Sequence, residues 1–444
     1  MEKITDRKKL ILYGCSGLGV NMLTFIVGSY LCSALLVGGF EEHIESWTYL
    51  NKDLVVAGVW GIMIFFAKAL DGIIDLPLAS FADKLNTKLG RRKTALLLGF
   101  IPMIISYVLF HFTLTPDESI ANTVWFGVLL CAFYTFYTLT MLTYYATFPE
   151  ICANERDTVF LSNTKSICDV VYMSLCFALI PVFISLDINI RIVSLAFLPL
   201  SLTMLIPFFL LKENNDNEEK KVRSLTLGVA LKTSVKNKPY MFWLFTASIM
   251  TIGLQLFLGG INELFSTTGL NMTVVMASSF APVPLTIMVY NHLVKKKGLG
   301  FGYKFVLIVY SIGMMVMYFC NIFSDTLTEL QLTLIALFGG VFISFAIGAF
   351  FSITYIVPTH LAQKEFERTG NNVSSMFFAV QGLFEGVAAG IATGPILVAL
   401  KDNDVISLLP IIVVICCMTA FILSFFFSED ISLMGKIKSE KTEK

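Results

Sequence analysis

Long apolar stretches follow one another along this chain, and they constrain its fold more than any other feature. A bilayer core about 30 Å thick requires roughly 20 apolar residues in each spanning helix. Twelve windows meet this requirement, at approximately residues 10–39, 54–80, 94–114, 122–148, 160–186, 191–211, 241–265, 272–294, 305–323, 329–357, 373–400 and 406–428. The first window lacks a small-residue cleavage site and is too long for a signal peptide. We therefore predict an all-α membrane protein with twelve transmembrane helices.

The composition excludes most other classes of protein. Only 14% of the 444 residues are charged, whereas a soluble domain carries about 25%. The basic and acidic residues balance, so binding of nucleic acid has no electrostatic support. The nine cysteines are isolated, apart from Cys416 and Cys417, and form no metal-binding pattern. The chain also lacks a phosphate-binding glycine loop and a nucleophile elbow, so we expect neither an enzyme nor a bound cofactor.

The distribution of basic residues predicts the orientation in the membrane. With both termini in the cytoplasm, the inner segments contain all but four of the 32 Lys and Arg residues, counting the inner end of the fifth window. The exceptions are Lys52, Arg191 and Lys401 in the outer segments and Lys68 inside the second window. This asymmetry follows the positive-inside rule, and it would be difficult to obtain if a span had been missed or invented.

The longest polar stretch divides the chain into two halves of six windows each. We predict an N-terminal bundle over residues 1–211, a cytoplasmic loop over 212–240, a C-terminal bundle over 241–428 and a cytoplasmic tail over 429–444. Each half also has a basic connection after its second window, which suggests a duplicated six-helix unit, as in many secondary transporters. A chance division of an unrelated twelve-helix protein is the alternative.

Three ionisable side chains occur where charge is expensive. Lys68, Asp71 and Asp75 lie in the second window at offsets of three and four residues, which places them on one stripe of a helix. Each costs roughly 2.5–3.5 kcal/mol at mid-membrane on insertion scales. One lysine cannot neutralise two carboxylates, so the stripe favours binding of a cation or a proton. A buried ion-pair network that joins two helices is the alternative, but it leaves the second carboxylate unexplained.

Polar groups in other windows could converge on the same region. For uncharged groups such as Asn21, Thr138, Tyr145 and Gln381, packing is the simpler role. Asp169 and Glu385 are different, because an unpaired carboxylate in hydrocarbon would become neutral or move.

Glycine also recurs at every fourth position of the eleventh window, at Gly382, Gly386, Gly390 and Gly394. This pattern permits close helix packing, either static or as a face on which a helix slides.

Several landmarks occur in the order found in one transporter family. The stretch Lys68-Ala-Leu-Asp71-Gly-Ile-Ile-Asp75 resembles the basic-x-x-Asp-x-x-x-Asp of the glycoside–pentoside–hexuronide:cation symporters, the melibiose permease-like branch of the major facilitator superfamily. Further similar stretches are Leu89-Gly90-Arg91-Arg92-Lys93, Tyr144-Tyr145-Ala146 through Phe148-Pro149-Glu150 to Glu155-Arg156-Asp157, Leu161-Ser162-Asn163-Thr164-Lys165 and Phe378-Ala379-Val380-Gln381. The resemblance implies the major facilitator fold and transport by alternating access.

The residues and the resemblance together give three candidate sets. The first binds the coupling cation, Na⁺ or H⁺, with Asp71 and Asp75 as the sodium ligands and Asn21 and Thr138 as further oxygen donors. The second binds the solute and consists of Asn21, Tyr145, Lys165, Asp169, Phe350, Gln381 and Glu385. The third forms a charge network and gate and consists of Lys68, Asp83, Arg91, Arg92, Glu150 and Arg156.

Departures from the family pattern bear on the solute. Asn21 stands where melibiose-type members carry a sugar-binding Asp, and Met141 replaces a second Asp. The acidic motif after the tenth span is replaced by Pro358-Thr-His-Leu-Ala-Gln363, and Glu385 lies beside the position of a family lysine. A galactoside is therefore in doubt, although a sugar, a glycoside or another small polar solute is still expected.

Two other functions stay open at this point. A carrier of lysolipids or other amphipathic solutes would keep the same fold, and many phenylalanines would suit its groove. A sensor on the same scaffold without transport is the third possibility, but it would not need the three charges of the second window. We expect a monomer in the plasma membrane or the bacterial inner membrane, with the bilayer, a solute and a cation as its partners.

Overall fold

The structure of the chain is a computed structural model, which describes residues 3–37, 48–85, 87–153, 155–213, 235–266, 272–324, 326–369 and 374–436. Apart from a single parallel bridge between Ile4 and Cys152, the regular elements of these residues are all helices. Helices satisfy every backbone hydrogen bond within one segment, which is what an apolar medium without water demands.

The described part of the first half contains nine α-helices. They are α1 (Arg7–Cys15), α2 (Leu18–Ile26), α3 (Ala57–Lys84), α4 (Arg91–Leu109), α5 (Ile120–Ala146), α6 (Phe148–Ile151), α7 (Glu155–Ser185), α8 (Ile190–Phe197) and α9 (Leu205–Leu210). A π-helical turn (Val27–Leu31) and a 3₁₀ turn (Ser33–Leu35) extend α2, and a 3₁₀ segment (Leu198–Met204) joins α8 to α9. Side chains cap three of these helices: Asp6 caps α1, Ser119 caps α5 and Asn189 caps α8.

The described part of the second half contains nine more. They are α10 (Lys238–Ser266), α11 (Met272–Phe280), α12 (Val283–Lys297), α13 (Leu299–Ile322), α14 (Glu329–Thr369), α15 (Ser374–Ile391), α16 (Leu397–Asp402), α17 (Leu409–Leu423) and α18 (Glu429–Ser432). A π-helical segment (Ala392–Ile396) containing Pro395 joins α15 to α16. Proline cannot donate a backbone hydrogen bond, and the wider turn occurs where that donor is missing.

Ten helical segments among the described residues are long and apolar enough to cross a membrane. They coincide with ten of the twelve sequence windows, and the fifth and eighth windows are not among them. The fifth window forms α7, which carries the charged residues Lys165 and Asp169. The eighth is divided at Pro282 into α11 and α12, neither of which reaches 18 residues. The prediction of an all-α membrane protein is therefore confirmed, whereas the count of twelve spans is not established.

The chain forms two compact units. One contains Met1–Val222 together with Thr393–Asp404, and the other contains Arg223–Ala392 together with Val405–Lys444. Within the first unit, Gly394 lies directly on the backbone of Gly61, and an added Cβ at Gly394 would also lie 3.0 Å from the Phe65 nitrogen. This position of the glycine series therefore has the close helix packing expected from the sequence.

Each unit has a glycine with an unusual backbone conformation in its basic hairpin. Gly90 precedes α4 with φ 99° and ψ 155°, and Gly298 precedes α13 with φ 94° and ψ 165°. Non-glycine residues rarely adopt this region. Glu213 packs on Gly90, and the Leu299 nitrogen beside Gly298 donates to the Met434 carbonyl at 2.9 Å. Both hairpins thus contact the segment that follows the last long apolar helix of their own half.

His111 has a structural role at the end of α4. Its side chain is buried, where the ring Nδ1 donates to the Tyr107 carbonyl at 2.9 Å and Nε2 lies 2.6 Å from the Ser194 hydroxyl oxygen. This histidine joins α4 to α8, and its place in the sequence gave no sign of that contact.

We expect Gly90→Ala to lower the free energy of unfolding by about 1–3 kcal/mol. Alanine is strained at φ 99°, and its Cβ would lie 2.6 Å from the Glu213 carboxyl carbon. Thermal unfolding of the detergent-purified protein measures the change. Gly58→Ala is the matched control, because no atom lies within 4 Å of its added Cβ. An unchanged Tm in Gly90→Ala would contradict the role assigned to this turn.

Candidate cation and solute sites

The predicted charge stripe lies on α3 and faces α5. Lys68, Asp71 and Asp75 are all half-buried. Thr138 of α5 donates a short hydrogen bond from its hydroxyl to Asp71 Oδ1. The Lys68 ammonium lies 3.9 Å from the centre of the Tyr134 ring, a favourable cation–π distance. The structure therefore places the Thr138 hydroxyl against the Asp71 carboxylate, and the role of Thr138 as a cation ligand stays a prediction.

The spacing of residues on α5 explains why one helix serves this site. Tyr134 lies three residues before Tyr137 and four residues before Thr138. Its side chain therefore neighbours both of the others on the surface of the helix. Tyr134 is 2% exposed and Thr138 is 6% exposed, so both side chains are buried where α5 packs against α3. A hydroxyl that donates to a carboxylate still has lone pairs available for a cation.

A second polar cluster joins α2, α5 and α7. Lys165 and Asp169 form an ion pair one turn apart on α7. Asn21 of α2 donates to Asp169 Oδ1 at 3.1 Å, and its own carbonyl accepts from the Tyr137 hydroxyl at 3.1 Å. The Lys165 ammonium also lies 4.9 Å from the centre of the Tyr145 ring. The sequence-predicted solute residues of the first half thus lie together in one unit.

The two clusters meet at neighbouring residues of α5. Thr138 contacts Asp71, and the preceding Tyr137 contacts Asn21. Asn21 therefore belongs structurally with the solute candidates, and its additional assignment to the cation site stays a prediction. The arrangement places a carboxylate-rich site beside a hydrogen-bonding site, with adjacent residues of one helix as the connection.

A small cavity lies on the other side of Lys68. Its volume is about 20 Å³, enough for one water molecule. Its wall includes Gly28, Cys32, Lys68, Tyr134 and Lys401, all of the first unit. Gly28 belongs to the π-helical turn that follows α2. A Cβ added there would lie 3.4 Å from the Tyr134 hydroxyl, in ordinary van der Waals contact.

The second unit holds the three remaining solute candidates. Gln381 of α15 donates from Nε2 to Glu385 Oε1 at 2.8 Å, a contact that residues four apart on a helix can make. Gln381 is buried and Glu385 and Phe350 are half-buried. Nearby in the fold, the Tyr240 hydroxyl donates to the Phe377 carbonyl, so α10 is joined to the first turn of α15.

The basic hairpin of the first unit contacts a residue outside the predicted gate. The backbone N–H groups of Arg92 and Lys93 donate to the Glu213 carboxylate at 3.1 and 2.9 Å. An acidic group at the first turn of α4 also interacts favourably with the helix dipole. Arg92 is buried and Arg91 half-buried. The side chains of the other gate candidates Asp83, Glu150 and Arg156 lie outside the described residues.

Three polar residues of these regions were not among the sequence candidates. Tyr137 gave no signal, because tyrosines are frequent in this window and only the rotation of α5 selects it. Glu213 lay in the polar connection and could not be assigned to a helix end. Glu263 is fully buried in α10, and the insertion cost that identified Asp71 would have identified it as well.

The donor set at the stripe suits a monovalent cation rather than a transition metal. The described residues contain no group of three or more His, Cys, Asp or Glu side chains arranged for a metal ion. Two carboxylates and a hydroxyl are hard oxygen donors, which match alkali and alkaline-earth ions. The prediction of sodium at Asp71 and Asp75 is chemically reasonable on this donor set and is not tested by it.

Solved membrane transporters share this fold. A bacterial homolog of the human lysosomal transporter Spinster, in an inward-facing and unoccupied conformation, matches with a TM-score of 0.59 and 11% identity over 94% of this chain and 96% of that chain. A single-residue variant of the nucleoside transporter NupG matches with a TM-score of 0.61 and 14% identity over 94% of this chain and 98% of that chain. NupG itself matches with a TM-score of 0.55 and 15% identity over the same shares of the two chains. No curated protein sequence matches the chain.

The family model assigns the chain to transporters of the major facilitator superfamily and not to a class of enzymes, and the solved neighbours share its fold. Residues 12–408 match the model of the MFS/sugar transport protein family. The chain belongs to that family. The resemblance found in its motifs is thus confirmed at the level of the family, across nearly the whole chain.

We expect Lys165→Met to lower the free energy of unfolding by about 1–3 kcal/mol, because the buried Asp169 loses its ion-pair partner. The two side chains are 16% and 17% exposed, so solvent compensates little. Adding Asp169→Asn should restore part of the loss. Thermal unfolding of the two single variants and the double variant gives the coupling energy. Strictly additive losses would contradict an energetic link between the two residues.

Proposed function

We propose that this protein is a cation-coupled secondary symporter that moves a small polar solute by alternating access. The observation that carries the proposal is a charge imbalance between two adjacent clusters. Lys165 pairs with Asp169 in the solute cluster, whereas Lys68 shares the α3 stripe with both Asp71 and Asp75. Three carboxylates face two lysines, so the stripe retains a demand for one positive charge.

A positive charge that is loaded and released is the property required of a coupling ion. Na⁺ or H⁺ would neutralise the second carboxylate of the stripe, and removal of the ion would restore the imbalance. Adjacent residues of α5 connect Asp71 to Asn21. Through this connection, occupancy of the cation site would alter the hydrogen bonding that a solute meets at the second cluster.

The chemistry of the second cluster favours a hydroxyl-rich solute such as a sugar or glycoside. The cluster offers both hydrogen-bond donors and hydrogen-bond acceptors, from Asn21, Tyr137, Lys165 and Asp169. Tyr145 presents an aromatic ring beside Lys165. The same chemistry would suit a nucleoside, the solute class named for NupG. A solute screen should therefore contain both sugars and nucleosides.

An amphipathic solute is the second candidate. The half-buried Phe350 and the neutral residues at the family's acidic positions would favour it. Competition by lysolipids against a bound polar solute would distinguish it from the leading proposal. A sensor without transport is the third candidate, and the absence of both flux and ion binding would favour it.

We further propose twelve spans, with α7 and the α11–α12 pair as the fifth and eighth, and both termini in the cytoplasm. Each bundle of six helices, over 1–211 and 241–428, would move as a unit during alternating access. The inner hairpin at Arg91 and Arg92 would contribute to closing the cytoplasmic side. We expect a monomer in the plasma membrane or the bacterial inner membrane.

Reporter fusions test this orientation. A fluorescent protein placed after Lys444 or after Lys88 should fluoresce, because both positions are predicted to be cytoplasmic. Alkaline phosphatase placed after Pro116 should be active, because that loop is predicted to be outside. Phosphatase activity at Lys444 would place the C-terminus outside the cytoplasm and would overturn the proposed topology.

Thermal unfolding in the presence of cations tests the coupling site without knowledge of the solute. We expect Na⁺ or Li⁺, but not K⁺, to raise the Tm at two pH values. A ligand present at a hundredfold excess over its Kd stabilises the folded state by about 2.7 kcal/mol. Asp71→Asn and Asp75→Asn should each abolish this shift, because each removes a charged ligand.

The exposed carboxylate of Asp402 provides the matched control, and Asp402→Asn should keep the full shift. A response to pH alone, lost in the same two variants, would assign proton coupling. Cation stabilisation that persists in Asp71→Asn and Asp75→Asn would refute the proposed site. Flux measurements under a sodium gradient would then identify the solute.

A further inference from the structure

Two cysteines lie in contact between α1 and α7. The Cys168 thiol donates to the Cys15 sulfur, with the two sulfur atoms 2.9 Å apart. All nine cysteines are free thiols. A covalent sulfur–sulfur bond is about 2.05 Å long, so this pair needs only a small approach to form one. The residues are 153 positions apart in sequence, and their pairing is a product of the fold.

The packing of the two helices explains the contact. A Cβ added at Gly14 would lie 2.9 Å from Thr164 Cγ2, so the glycine allows α7 to come unusually close. Thr164 and Cys168 are four residues apart on α7 and share one face, and Cys15 follows Gly14. The same close approach therefore brings the two sulfur atoms together. Cys15 is half-buried, which leaves one member of the pair open to a small reagent.

We propose that Cys15 and Cys168 form an oxidisable dithiol, a redox modification site that can close to a disulfide between the first and fifth spans. The reaction removes one hydrogen from each thiol and joins the sulfurs. With a diazene such as diamide, attack of one thiolate on nitrogen gives an adduct, and the second thiol displaces it. The reagent leaves as the hydrazine, having taken up both protons and both electrons.

This site lies next to the solute cluster. Cys168 immediately precedes Asp169 on α7, and Cys15 lies six residues before Asn21 in the sequence. The disulfide would join α7 to the end of α1, shortly before α2 and its Asn21–Asp169 hydrogen bond to α7. An effect of oxidation on transport rests on the proposed function, whereas the modification itself does not.

Alkylation of the purified full-length protein after diamide treatment tests the proposal. After denaturation, the reactive thiols should fall from nine to seven per chain, and dithiothreitol should restore all nine. Chymotryptic peptides should contain a link between Cys15 and Cys168, because cleavage at aromatic and leucine residues separates them from Cys32 and Cys176. The treated protein should also show a higher Tm, since the link closes a long loop.

Variants distinguish this pair from other thiols. In Cys15→Ser and Cys168→Ser, diamide should leave every remaining thiol alkylatable and the Tm unchanged. Cys131→Ser is the matched control, because Cys131 is also half-buried but should not prevent the link. Nine reactive thiols in treated wild type, a link between other cysteines, or a covalent dimer as the only product would each overturn the proposal. The result is independent of cation stabilisation, so either proposal can fail alone.

Discussion

The cost of placing charge in an apolar medium determines much of this structure. Each carboxylate within a spanning helix must be paired, neutralised or hydrogen-bonded. Asp169 meets Lys165 and Asn21, and Asp71 meets Thr138. Asp75 shares its helix with Asp71 and with the single lysine of the stripe, Lys68. The helices α2, α3, α5 and α7 pack so that these demands are met within one unit, and the remaining demand is what makes the stripe suitable for an exchangeable ion.

The sequence predicted the parts of the structure that depend on local composition. Apolar windows anticipated most spanning helices, because the length and hydrophobicity of a segment decide its insertion. The offset of four residues in the Lys165–Asp169 and Gln381–Glu385 pairs can be read from the sequence, because neighbours on one helix face need no tertiary information to meet. The choice of Tyr137 instead of another tyrosine depends on how α5 is rotated against α2. The contact of Glu213 depends on where a connection returns, and no local pattern encodes either.

The two halves share one unusual glycine conformation at corresponding helix starts. Gly90 and Gly298 have nearly equal dihedral angles at the start of the helix that follows each basic hairpin. Little else in the two hairpins is alike in sequence, and their glycines are separated by about two hundred positions. An uncommon conformation recurring at matching positions favours an origin by duplication more strongly than the division into two sets of windows does.

The partners of these two turns differ in one respect. In the first half, the side chain of Glu213 accepts from the start of α4, whereas in the second half the Met434 backbone carbonyl accepts from Leu299. A single substitution can remove a carboxylate, but none can remove a carbonyl of the main chain. The first contact is therefore open to adjustment during evolution, and dissolved salt can weaken it. The second contact is made by the main chain, so no change of side chain removes it. The two hairpins can therefore differ in the strength of this contact while their backbones stay the same.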